Sequence, residues 1–97
     1  MNNRKRQPNH PGAVLMTLYM EPLGLNITAL AEVLGVSRKT ISKIVNEGAS
    51  ITPDMALRLS AAFDTSPQVW LNLQQNYDLW HAAKESKEWK QIQKIAA

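Results

Sequence analysis

Between Ile27 and Asn46 two short apolar-faced segments meet at a single glycine. Leu30 and Ala31 lie in the first, Leu34-Gly35-Val36 form the junction, and Ile41 and Ile44 lie in the second. This spacing predicts a helix-turn-helix. Two helices that cross closely need a small side chain at the crossing, and Ala31 supplies it. The turn needs a left-handed residue, which Gly35 adopts without a Cβ penalty. Val36 and Ile41 are expected to fill the angle between the helices. Leu30, Leu34 and Ile44 are expected to anchor the pair to the rest of the core. Asn26 or Thr28 can cap the first helix and Ser37 the second, because their side-chain oxygens accept from free first-turn N–H groups.

The same punctuation divides the rest of the chain. Pro11 suits a first helical position. A helix is expected over Pro11 to Met20, with Val14, Leu15, Leu18 and Tyr19 at helical spacing. Glu21-Pro22-Leu23-Gly24-Leu25 is expected to break it. Gly35 and Gly48 should end the second and third helices. Thr52-Pro53-Asp54 and Ser66-Pro67 each combine a capping hydroxyl with a proline, a strong start signal. Met55, Leu57, Leu59, Ala62 and Phe63 follow the first of these. The fifth helix is expected from Pro67 to at least Ala83. Its Trp70, Leu73, Tyr77 and Trp80 fall on one face, as core or as a dimer or partner surface. No strand alternation and no hairpin turn interrupts the pattern. The fold class is therefore all-α, five helices joined by short turns. Residues 10–83 form the expected domain. Residues 1–9 read as a flexible basic arm. Residues 84–97 either extend helix five or fray, with Trp89, Ile92 and Ile95 keeping helical spacing and Trp89 best placed to face a partner.

Composition removes several functions. The 97 residues contain no cysteine, which excludes disulfides, thiolate metal sites and cysteine nucleophiles. No apolar run approaches the roughly 18 residues of a membrane span. The polar start, Met1 to Pro8, lacks an apolar signal-peptide core, so a cytoplasmic protein without a membrane partner is expected. Gly12, Gly24, Gly35 and Gly48 are too widely spaced to cradle a phosphate. His10 and His81 lie far apart, and no nucleophile–base, carboxylate or metal-ligand spacing is visible. Neither catalysis, a metal nor a cofactor is expected.

Charge points to an anionic partner. The net charge is +3, but residues 1–43 carry six basic and two acidic groups, whereas residues 44–97 carry five and six. The second motif helix presents Ser37, Arg38, Lys39, Thr40, Ser42, Lys43 and Asn46, with no acid before Glu47. Hydroxyls, an amide and long cations are the groups that read base edges and hold phosphates. A recognition helix offers its N-terminal residues to the major groove. These seven residues are the expected DNA-binding site, although the Ser37 hydroxyl also serves as a cap. Arg4-Lys5-Arg6 either touches a minor groove or phosphates, or simply solubilises the terminus.

Taken together, the residues resemble a known family. His10-Pro11-Gly12, Glu21-Pro22-Leu23-Gly24-Leu25 and Leu30-Ala31-Glu32-Val33-Leu34-Gly35-Val36-Ser37-Arg38 look like the HigA antitoxins. Ile51-Thr52-Pro53-Asp54-Met55, Trp70-Leu71-Asn72-Leu73-Gln74 and Tyr77-Asp78-Leu79-Trp80 extend the likeness over about residues 10–83. The helix-turn-helix part is shared with the whole phage-repressor-like superfamily. The two tryptophan-containing stretches are more particular. The resemblance implies a homodimer that binds double-stranded, palindromic operator DNA in its own promoter. It also implies a HigB-like toxin partner, a small RelE-like endoribonuclease whose gene precedes the antitoxin's. The family's DNA-contacting helix maps onto Ser37 to Asn46. One departure is Thr28-Ala29, where relatives often carry Gln or Glu. A stand-alone transcriptional regulator without a toxin shares every motif up to Asn46. A protein-interaction module of the same fold is a third reading.

Overall fold

The computed structural model describes residues 6–95. It has the all-α architecture that the sequence predicts, with no strand among the described residues. The five helices are α1 (Pro11–Leu23), α2 (Ile27–Leu34), α3 (Arg38–Val45), α4 (Pro53–Phe63) and α5 (Pro67–Glu85). A short 3-10 turn, Glu88–Gln91, follows. No single helix among the described residues is long and apolar enough to cross a membrane.

Local capping explains most boundaries. Asn26, rather than Thr28, caps α2, its Oδ1 accepting from the Ala29 N–H at 2.7 Å. Ser37, Thr52 and Ser66 accept from the N–H groups of Thr40, Met55 and Val69. Gly35 ends α2 in the left-handed region at φ 70°. The first helix differs from expectation. It continues through Pro22 to Leu23 and stops at Gly24, also left-handed. Leu15–Met20 is a π-helical stretch, and the Glu21 N–H bonds to the Met16 carbonyl five residues back. In a regular α-helix the Pro22 ring would meet the carbonyl four residues earlier. The wider π turn relieves that contact.

The core gathers Leu15, Met20, Leu30, Ala31, Leu34, Ile41, Ile44, Ile51, Met55, Ala56, Leu59 and Trp70. Every apolar residue assigned to the helix-turn-helix contact is there except Val36, which is half-buried against the cluster. Of the aromatic stripe on α5 only Trp70 is fully buried, with its indole N–H donating to Thr65 Oγ1 at 2.9 Å. Leu73, Tyr77 and Trp80 are half-buried. Gln74, between them, is buried instead. Its Oε1 accepts from the Ile51 N–H at 2.8 Å, tying the connection before α4 to α5. The stripe thus seals the core through Trp70 and, in part, Leu73.

The two chain ends behave differently. Within the expected arm, residues 1–5, including Arg4 and Lys5, lie outside the described residues. Pro8 is buried and Gln7 Nε2 lies 2.8 Å from His81 Nε2, so the inner end of that stretch leans on α5. At the other end α5 stops at Glu85, Ser86 is extended, and Trp89, Ile92 and Ile95 are exposed. The helical spacing of those three residues does not prolong α5.

Candidate nucleic-acid interface

The amphipathic split of α3 creates the site. Ile41 and Ile44, at 0% and 2% exposure, root the helix in the core. Arg38, Lys39 and Lys43 project on the opposite side and are exposed, as are Ser37 and Asn46 at the two ends. Thr40 and Ser42 are half-buried at the margins. The structure therefore brings all seven expected residues to one helix and its caps.

Their hydrogen bonds divide them into two groups. Ser37 Oγ accepts from the Thr40 N–H at 3.1 Å and shares a hydrogen bond with Thr40 Oγ1 at 2.9 Å. Asn46 Nδ2 donates to the Ser42 carbonyl at 2.9 Å and reaches Ser42 Oγ at 3.3 Å. Those groups are partly spent on holding the helix ends. The three cations are not. Among the described residues Arg58 pairs with Asp54, and His81 Nδ1 lies 3.7 Å from a Glu85 carboxylate oxygen; neither contact involves α3. Three unpaired cations on one helix face form a positive surface that costs no internal ion pair to present. A groove of about 370 Å³ opens beside them, lined by Ile27, Arg38, Lys39 and Ser42.

Two supports of this helix escape a reading of the sequence. Arg58, on α4, donates from Nη1 to the Leu34 carbonyl at 2.6 Å and weakly to that of Gly35 at 3.4 Å. It braces the turn that aims α3. Its partner Asp54, one helical turn earlier, was the only local hint. The second support is the start of α1. Gly12 packs so closely on the Ile44 carbonyl, in the last turn of α3, that a Cβ there would overlap it. His10 fixes this contact. It caps α1, its Nδ1 accepting from the Gly12 N–H at 2.9 Å, and its ring stands edge-on to Tyr77 at 4.8 Å. Burial lowers the His10 pKa, against the opposing pull of Glu47, Asp78 and a hydrogen bond to the backbone of Ala49. An accepting Nδ1 requires the neutral ring. The triplet His10-Pro11-Gly12 is thus a local cap and a contact across 32 residues at once, and only the Pro11 helix start is legible without coordinates.

Similarity to known chains agrees with this geometry. A helix-turn-helix family profile matches residues 18–70. Antitoxin HigA-1 of Vibrio cholerae is 39% identical over 88 residues, covering 91% of this chain and 83% of its own length. An uncharacterised transcriptional regulator of the same type from Escherichia coli, YbaQ, is 39% identical over 95 residues, covering 98% of this chain and 84% of YbaQ. The antitoxin HigA of Pseudomonas aeruginosa, solved with the higBA promoter, superimposes with a TM-score of 0.84 at 37% identity, over 93% of this chain and 99% of that one. Fold, motif and similarity over nearly the whole chain converge, and the chain belongs to the helix-turn-helix family and, within it, to the HigA antitoxins.

Proposed function

We propose that this protein is a DNA-binding antitoxin that represses its own operon and neutralises a HigB-like endoribonuclease toxin in the cytoplasm. The observation that carries the DNA-binding half is the unpaired cationic face of α3, held rigidly by Ile41, Ile44, Arg58 and Gly12. Ser37, Arg38, Lys39, Thr40, Ser42, Lys43 and Asn46 are the proposed DNA-facing residues, within a binding unit spanning 10–83. Arg38 and Lys39, in the first turn, take the base-reading positions. A homodimer would present two such helices about 34 Å apart to the halves of a palindromic operator. The protein works by binding, not by catalysis.

The test is fluorescence anisotropy on duplex DNA from upstream of its own operon, against a scrambled duplex, at two salt concentrations. Tight, salt-weakened binding to the native duplex alone is expected. Arg38→Ala and Lys39→Ala are each expected to weaken it by about 1–3 kcal/mol where the side chain reads a base. Unchanged affinity in both variants would remove these residues from the site. A stand-alone regulator is the second reading, favoured by the similarity to YbaQ, described as a transcriptional regulator. Co-expression with the neighbouring gene separates the two. A toxic neighbour whose product copurifies supports the antitoxin, and a harmless, unbound product supports the regulator.

A further inference from the structure

Helix α5 has a second apolar side that its own chain leaves uncovered. Trp70 and Gln74 turn to the body of the molecule and are buried. Leu71, Gln75, Leu79 and Ala82 follow one another in steps of three or four residues, so they share another side of the helix. Two grooves run along that side. One, of about 370 Å³, lies between Ile51, Leu71 and Leu79, and the next, of about 440 Å³, lies between Leu79 and Trp89. Leu79 and Ala82 line both, so the two form one continuous strip. Leu79 is 60% exposed and Trp89 50%, and contiguous apolar surface left open to water marks an interaction site.

Charge selects the occupant. Residues 78–90 carry three carboxylates, Asp78, Glu85 and Glu88, and three ammonium groups, Lys84, Lys87 and Lys90. The stretch is neutral within a chain of net charge +3. A nucleic acid needs net positive charge, and a protein that itself grips RNA is met best by net negative charge. This stretch offers neither. Its signs alternate along the chain, so the order taken in reverse is its own complement. An antiparallel copy of the same stretch therefore sets acids against lysines.

Shape agrees with charge. A two-fold contact is made by the same patch on both molecules, so the patch must fit itself. Here a protruding leucine, Leu79, stands beside a groove lined by the small residues Ala82, Ala83 and Ser86, where its counterpart can seat. The inner end of the strip is Ile51, on the connection that leads out of α3, and its N–H is held by Gln74 Oε1 at 2.8 Å. Pairing along the strip therefore fixes the two α3 helices relative to each other. On the basis of the DNA-binding reading above, which calls for two copies, we propose that the strip over residues 71–89 is the homodimer interface, with Leu79 of each molecule seated between Ala82 and Trp89 of the other.

The test reads molecular mass and DNA affinity separately. Light scattering during gel filtration, over a dilution series without DNA, is expected to give twice the mass of one chain for the wild type. Leu79→Asp should bring the mass to one chain while still melting cooperatively by circular dichroism. Leu57→Asp is the matched control, a leucine 58% exposed on α4, and should remain dimeric. By anisotropy, Leu79→Asp is expected to bind the full palindrome about 100-fold more weakly than the wild type, because one body no longer holds both half-sites. Where Leu79→Asp fails to fold, Ala82→Glu, at a second exposed position of the strip, takes its place. A monomeric wild type overturns the proposal. So does a dimer that survives the substitution, and so does loss of the dimer in Leu57→Asp as well. A dimeric wild type that does not distinguish operator from scrambled duplex overturns the DNA-binding reading instead, and the interface is then judged by mass alone.

Discussion

Gly12 and His10 show how much a single residue can carry in a chain this short. Replacing Gly12 by Ala places a methyl on the Ile44 carbonyl, which is backbone and cannot rotate away. Such overpacking is expected to cost about 1–3 kcal/mol, read as a lower denaturant midpoint. At His10 the effect is linked to protons. Burial holds its folded-state pKa below the ordinary 6.5. Above pH 6.5 the ring is neutral whether folded or unfolded, and the stability it permits is complete. As pH falls through 6.5 towards the lowered value, the unfolded chain takes up the proton first, so the fold weakens. Denaturation midpoints at pH 7.5 and 5.5 should differ in the wild type more than in His10→Asn, which retains a capping side chain and has nothing to titrate there. Gln74 offers a third case. Truncation to Ala leaves the buried Ile51 N–H without its acceptor, at a cost of about 1–3 kcal/mol.

Among the elements, what was legible in the sequence was what depends on near neighbours. Asn26, Ser37, Thr52 and Ser66 cap as side chains of their type do, each reaching only three residues along the chain. The burial of Ala31, Ile41 and Ile44 followed from helical periodicity, and so did the exposure of Arg38, Lys39 and Lys43. The π turn of α1 was not legible, because its cause is a proline tolerated inside the helix where propensity alone predicts a stop. The braces were not legible either. Arg58 reaches Leu34 across 24 residues, Gln74 reaches Ile51 across 23, and Gln7 reaches His81 across 74. Each is a polar side chain that a local reading assigns to solvent. The Arg58 contact carries its own prediction. Its ion pair with Asp54 is exposed, with Asp54 at 72%, and such pairs contribute about 0–1 kcal/mol. The bond to the Leu34 carbonyl is part-buried and charge-assisted. Arg58→Met should therefore destabilise the protein more than Asp54→Asn does, and should also weaken DNA binding by loosening the turn before α3.

For the molecule as a whole, the division of labour between its ends and its middle sets the energetics of binding. Three unpaired cations on α3 make six in a dimer. If each neutralises one phosphate, the logarithm of the binding constant should fall with the logarithm of salt concentration at a slope of about −5. Lys43→Ala, which removes two of the six, should flatten that slope by about 2. A slope near zero would mean that α3 does not meet the phosphate backbone. The described chain measures 51 × 22 × 21 Å, with α5 the longest helix and its last turns carrying little of the core. Along it the three tryptophans pass from Trp70, fully buried, through half-buried Trp80, with Lys84 Nζ 4.9 Å from its ring, to Trp89, half of whose surface is open to water. That gradient is a built-in set of optical probes. A soluble quencher should extinguish Trp89 emission in the native protein while leaving Trp70 bright, and the red shift of Trp70 should report loss of the core. Single-tryptophan variants would then record the melting of the core and any event at the tail as separate spectral signals.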